Sequence, residues 1–388
     1  MIMSESTRVA FVLPTLARGN YWHPVFRILT SVFPNTRVFT QVWPGFVRGH
    51  EGTFRVRSFA GRHRESPLFV WGSPRVIPDL VRFRPQVVFT SGFHIWALYV
   101  LLLRFVMNWR VILLWDGISP SVAKVQSHWR TRLRRLMARG YDLSLTNTQE
   151  GYAFLRDSLN VPPSHLACYP YEVPDIVAMN QEANLNGNMQ NQKRPVFLFA
   201  GMLLKRKGLD YLLKAAHSLI QQDLRDFSLL VVGSGPDAVA MKNLAIRLGL
   251  EKHVTWHEDV PYHRMGAYYS ACDVFVFPTR EDVWGMVALE AMAFGKPIIC
   301  SRHAGARELV RHKENGFIVD PAQTGELADR MARFIRKPKL IVQFGAVSKA
   351  IMAKHSAAAA ATMLAESIGS VLRSERDSAI RASISETV

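Results

Sequence analysis

Short runs in which nearly every position is apolar alternate along this chain with longer stretches whose apolar residues recur at helical spacing. Arg8–Leu13, Gln86–Thr90, Arg110–Trp115, Asp142–Thr146, Pro195–Ala200, Phe227–Val232, Asp273–Phe277 and Ile298–Cys300 read as buried strands. Asn35–Thr40, Thr53–Phe59 and Val254–Trp256 read as further strands. Val76–Phe83, Ile95–Met107, Ser127–Gly140, Leu209–Ile220 and Gly285–Phe294 carry the helical period, and the Ala-rich span Leu327–Gly369 reads as terminal helices. Continuous apolar strands separated by helices indicate parallel sheets covered on both faces, an α/β class. With 388 residues, 48% of them hydrophobic, the chain suits two such domains. Between them Gln181–Lys193 is polar, rich in Asn and Gln and without periodicity, the pattern of a flexible linker. The expected layout is therefore residues 1–176, a linker at 177–194, a second domain at 195–375 and a polar tail at 376–388. The C-terminal helices are expected to pack back on the first domain.

Chemistry concentrates in Asp273–Ser301, which reads as strand, loop, helix and strand, with Gly295-Lys296-Pro297 ending the helix. Asp282 stands in the loop. Glu290 stands inside the otherwise apolar GMVALEAMA, where an unpartnered carboxylate would be costly. A solvated helix face or a structural ion pair would explain it. The functional alternative is a helix start at Gly285, Met286 and Val287 that points free amides at an anion, with both carboxylates accepting from hydroxyls beside it. A phosphate flanked by sugar hydroxyls describes a nucleotide sugar. Lys205, Arg206 and Lys207 follow another strand end and could face a diphosphate, although a solvated basic cluster has the same composition.

These residues resemble the signature of the retaining GT-B glycosyltransferases of the family 4, or group 1, type. The shared features are an acid, seven residues, then Glu290-Ala291-Met292-Ala293 and a Gly295-Lys296-Pro297 turn, together with Lys207-Gly208. The resemblance is good from about Val196 to Pro321 and faint before that. Two positions depart from the pattern: Asp282 replaces Glu, and Met202 stands where the family has Arg. The resemblance implies two Rossmann-like domains facing across a cleft, a nucleoside-diphosphate-sugar donor held mainly by the second, and retention of configuration. It places Asp282 near the transferred sugar and Glu290 on the ribose, and it puts the base beside the loop holding Val260. It also sets Asp116 where the family often has a catalytic-site His. No cofactor is implied, and no aspartate-rich pair suggests a metal.

Charge changes the picture for the first half. Residues 1–194 carry 23 Lys and Arg against 11 Asp and Glu, and 21 of those cations are Arg, so most of the net +17 lies there. Such a field implies an anionic partner. Candidates are a saccharide or lipid-linked acceptor and an anionic membrane surface. A nucleic acid ranks last because it leaves Glu290 unexplained. In Ser127–Gly140, Trp129, Leu133, Leu136 and Met137 form one stripe among five arginines, which reads either as a core-facing helix or as interfacial attachment. Strand ends also offer Gly19, whose loop could approach the donor backbone to backbone, and His94 and Asp116, placed on the acceptor side; a turn glycine, a capping His and a turn Asp are the structural alternatives. No run is long enough to span a bilayer, and three cysteines without metal spacing suit a reduced cytoplasm. Besides transfer, the pattern admits a nucleotide-sugar epimerase, a non-catalytic nucleotide-sugar binder and a basic nucleic-acid-binding protein.

Overall fold

The computed structural model of the chain describes residues 3–16, 21–43, 45–46, 50–59, 73–117, 128–181 and 192–385. Gly19, the loop Gly61–Glu65 and most of the 177–194 linker lie outside those residues. Two compact units emerge. One comprises residues 1–118, 122–173 and 356–388, and the other centres on Pro174–His355.

The first unit is built on β1 (Val9–Thr15), β2 (Thr36–Val42), β3 (Arg55–Ser58), β4 (Val87–Ser91), β5 (Arg110–Trp115), β6 (Leu143–Thr146) and β7 (Leu166–Cys168). They pair in the order β3-β2-β1-β4-β5-β6-β7, every pair parallel. β1 is apolar on both faces because both are covered. Val9, Phe11 and Leu13 meet the helices His23–Val32 and Ala357–Ser385, whereas Ala10 and Val12 meet Val76–Phe83 and Ile95–Met107.

The second unit holds β8 (Val196–Ala200), β9 (Ser228–Val232), β10 (Val254–His257), β11 (Val274–Phe277), β12 (Ile298–Ser301) and β13 (Gly316–Val319), ordered β10-β9-β8-β11-β12-β13 and again all parallel. The chain winds outward from β8 to one edge, then returns to the other side of β8 to lay down β11. That reversal opens a crevice at the carboxyl ends of β8 and β11.

Three expectations are corrected. The linker's first residues are structured: Ile176–Met179 is a helical turn whose N-cap Asp175 accepts from the Ala178 amide at 2.9 Å, and Met179 is buried in the second unit's core. The polar tail set off at 376 is, over residues 376–385, the continuation of the helix Ala357–Ser385. The stripe on His128–Ala138 divides, with Met137 in the core and Trp129, Leu133 and Leu136 turned to solvent. β7 and β13 were not legible as strands. Leu166–Cys168 is three residues long, and Gly316–Val319 opens on a glycine whose added Cβ would overlap the Ile298 carbonyl, so only glycine lets those strands approach.

Candidate functional site

The loops leaving β8 and β11 meet at the crevice where the strand order reverses. After β8 the chain makes a single turn of 3-10 helix at Lys205–Lys207 and enters the helix Leu209–Gln221 through Gly208. Gly208 sits at φ 72°, and a side chain there would overlap the Pro278 carbonyl, so glycine brings the two loops into contact. Three interactions then fix them. The Arg280 amide donates to the Arg206 carbonyl at 2.7 Å, the Thr279 hydroxyl donates to the same carbonyl at 2.9 Å, and Arg280 clasps Asp210 at 3.0 and 2.9 Å.

Into this junction Lys207 extends its ammonium to the Asp282 carboxylate, and Arg206 approaches the same oxygen at 4.0 Å. The Lys207 and Asp282 side chains are only 16% and 15% exposed, so their attraction is screened far less than a surface pair's. The Phe277 ring lies 5.7 Å from the ammonium. Asp282 is held from the third strand as well: its amide donates to the His303 carbonyl and its carbonyl accepts from the Gly305 amide, both at 3.1 Å. Lys205 is exposed beside the pair.

Two residues past Val283, Gly285 at φ 97° starts the helix Met286–Ala293, and no side chain caps that end. The free amides of its first turn therefore face out of the helix beside the Asp282 loop. Met286 and Val287 are half-buried and Glu290 is 2% exposed. Glu290 is not orphaned. The Tyr269 hydroxyl donates to it at 2.5 Å, and its charge, after burial itself, holds the Tyr262 hydroxyl well above the usual phenol range. Tyr262 in turn accepts from the Asp175 amide at 3.1 Å. Val260 packs against this same core and the loop around it is half-exposed. The tyrosines were missed in the sequence because nothing in their spacing ties position 269 to position 290. Among the described residues no cluster of His, Cys, Asp and Glu could hold a metal ion.

The first unit finishes its strands differently. His94 follows β4 and caps the helix Ile95–Met107, its Nδ1 accepting from the Ala97 amide at 3.2 Å. Its Nε2 is buried without a partner, and burial pulls its pKa down to about 4. Asp116 follows the adjacent β5. The Tyr171 hydroxyl and the Asn147 amide, the latter at 2.8 Å, both donate to its Oδ1, and Asn147 in turn accepts from the Tyr171 amide at 2.9 Å. Burial raises the Asp116 pKa above the usual carboxylate range, and the hydrogen bonds from Tyr171 and Asn147 pull against that shift. The structure thus brings Lys207, Arg206, Asp282 and the Gly285 helix together in one unit, and sets His94 and Asp116 on neighbouring strands of the other.

Two parallel α/β units wound in this way, with the polar cluster at the reversal of the second, define a GT-B protein. Solved chains with this architecture include HepE from Anabaena in complex with UDP, at a TM-score of 0.75 and 18% identity over 94% of this chain and 100% of that one. Sucrose-phosphate synthase from Thermosynechococcus elongatus superposes at 0.74 and 20% identity, over 95% and 100%. Residues 180–350 match the family described as glycosyl transferases group 1, so the chain carries a group 1 glycosyl transferase domain. Relatives include an uncharacterized glycosyltransferase of Haemophilus influenzae, 35% identical over 39% of this chain and 42% of its own length. A GDP-mannose-dependent alpha-(1-6)-phosphatidylinositol monomannoside mannosyltransferase of Mycobacterium tuberculosis is 32% identical over 43% and 45%. A D-inositol 3-phosphate glycosyltransferase of Corynebacterium efficiens is 30% identical over 48% and 45%. The match spans less than half the length of these curated relatives.

Proposed function

We propose that this protein transfers a sugar from a nucleoside diphosphate to an acceptor hydroxyl, with retention at the sugar carbon, in the assembly of a cell-surface polysaccharide or glycolipid. One observation carries the reading: a shielded Lys207–Asp282 pair, flanked by Arg206, lies at the strand reversal beside an uncapped helix end. In the donor complex the leaving diphosphate takes the place of Asp282 as the partner of Lys207. Arg206, Lys205 and the amides of Gly285, Met286 and Val287 supply the remaining positive potential. Asp282, released from the ammonium, accepts from hydroxyls of the transferred sugar, and Glu290 accepts from the ribose. The bond from the sugar carbon to the diphosphate oxygen breaks as the bond to the acceptor oxygen forms, and the acceptor's hydroxyl proton passes to the departing diphosphate oxygen. Charge therefore builds on the diphosphate where these donors are already fixed. The backbone around Val260 flanks the base, and His94 and Asp116 serve the acceptor. No cofactor is required by this chemistry.

The Arg-rich first half supports a saccharide or lipid-linked acceptor at an anionic membrane surface, with the protein peripheral on its cytoplasmic face. The relatives name GDP-mannose and a solved neighbour holds UDP, so the base is the first quantity to measure. In a thermal-shift screen across UDP, GDP, ADP and TDP sugars, the matching donor alone should raise Tm, because a ligand stabilises the state it binds. The decisive test pairs Glu290→Gln with Lys207→Ala. If both fold and still bind donor and glycosylate acceptor as the parent does, the reading is wrong. NMR of the products separates the rivals: an epimerised free nucleotide sugar means an epimerase, and donor binding without turnover means a binding subunit.

A further inference from the structure

The first unit turns large apolar side chains outward on two adjoining helices. On Ile95–Met107 the exposed residues are Leu102, Phe105 and Val106, the last two 82% and 77% exposed. On His128–Ala138 they are Trp129, Leu133 and Leu136, at i, i+4 and i+7 and hence one stripe. The helices meet near their C-terminal ends. Leu101 lies against Gly140 and shares a core with Met137 and Ala138, and Arg104 donates to the Gly140 carbonyl and, at 3.1 Å, to Asp142. Single exposed apolar residues are common on soluble proteins, but six on two neighbouring elements are not.

The charges carried by the two helices have one sign. Neither helix contains an acidic residue. Arg130, Arg132 and Arg139 are exposed next to the stripe, and Arg130 lies 5.6 Å from the Trp129 ring. Arg134 and Arg135 are committed elsewhere, Arg134 over the Trp115 ring at 5.9 Å and Arg135 to the Ser158 carbonyl at 2.8 Å. A water-facing helix would show the opposite arrangement, charged residues outward and apolar ones inward.

We propose that these two faces form a seat for an anionic phospholipid bilayer, with Phe105, Val106, Trp129 and Leu136 entering the acyl boundary and Arg130, Arg132 and Arg139 taking phosphate groups. An apolar strip sided by guanidinium groups matches the layering of a bilayer surface, where anionic headgroups lie over hydrocarbon. This deepens the membrane reading given above and locates it, and it does not depend on the transfer chemistry.

The test is co-flotation of the full chain with vesicles of phosphatidylcholine, with and without phosphatidylglycerol. The parent should float with the anionic vesicles only. Arg130→Ser, Arg132→Ser and Arg139→Ser combined should lower vesicle affinity about a hundredfold. Phe105→Ser with Leu136→Ser should lower it by about tenfold or more. Val239→Ser, an equally exposed apolar residue in the second unit, should change nothing. Quenching of tryptophan fluorescence by brominated lipid should fall in Trp129→Phe, a change with little folding risk. Donor-induced thermal shifts should stay as in the parent throughout, which separates a failure of this surface from a failure of the donor site. Unchanged flotation and quenching in these variants would overturn the proposal. A parent dimer dissociated by Phe105→Ser would also overturn it, assigning the faces to a second copy.

Discussion

The two sheets share a winding scheme, yet their carboxyl ends are finished with different chemistry. In the second unit the loops after β8 and β11 are drawn together by Gly208 and the Arg280–Asp210 clasp, and what they hold is a pair of cations against one carboxylate. In the first unit the ends of β4 and β5 carry an unprotonated, half-buried imidazole and a carboxylate bound by a phenol and an amide. The first arrangement offers a fixed positive potential for a charged group. The second offers hydrogen-bond acceptors, which suit hydroxyls. One topology can therefore carry two different chemistries, and under the proposed transfer the loops would set which substrate each unit takes.

The largest effect that would break this contrast is loss of the ammonium. Lys207→Ala should lower kcat with the matched donor by about 10²–10³-fold, as removal of one preorganised donor does elsewhere. A residual activity near the parent's would mean that the second unit's polarity is not used. The next effect belongs to the first unit and appears in pH. His94 binds its proton only near pH 4 when folded, against about 6.5 when unfolded. The unfolded chain thus holds more protons between those values, so stability is complete above 6.5 and drains as pH falls toward 4, by about 3 kcal/mol at most. His94→Asn keeps a capping acceptor and should flatten that slope in urea unfolding curves recorded from pH 7 to 4.

Tyr269→Phe sharpens the comparison within the second unit. It removes a hydrogen bond to a buried carboxylate and should destabilise by about 2 kcal/mol. If Glu290 also serves the ribose, the donor KM should rise while kcat changes less. A purely structural role for Tyr269 would lower Tm alone. The smallest effect is expected from Tyr171→Phe, which leaves Asp116 with Asn147 and an open side to water. About 1 kcal/mol of stability is expected to go, with donor binding unaffected in a thermal-shift assay.

Much of this was legible before any coordinates. Most strands of both sheets stand out because burial on two faces leaves no polar alternation to confuse them, and the helix carrying Glu290 announces itself by a carboxylate among apolar neighbours. Local pattern also singled out Lys207 and Asp282 as candidates for one anion site. It did not reveal that they hold each other, since 75 residues separate them and only the reversal of strand order brings their loops together. Tyr269 and Tyr171 were missed for the same reason: a hydroxyl that holds an acid from another element leaves no periodic trace. The stripe Trp129, Leu133, Leu136, Met137 shows a different limit. Helical spacing shows that an apolar face exists, but not which way it points; contacts sent Met137 inward and left its companions outside.

The return of the chain's last segment to the first unit has a consequence for how the protein is made. Ala360, Ala361, Leu364, Ile368 and Val371 complete the core under β1 and the helix His23–Val32. During synthesis, everything up to Val173 leaves the ribosome with one wall of that interior missing. The middle unit can finish assembling earlier, from contiguous residues. The half that is translated first is thus the last able to close, and until the final helix arrives part of its apolar core is left uncovered.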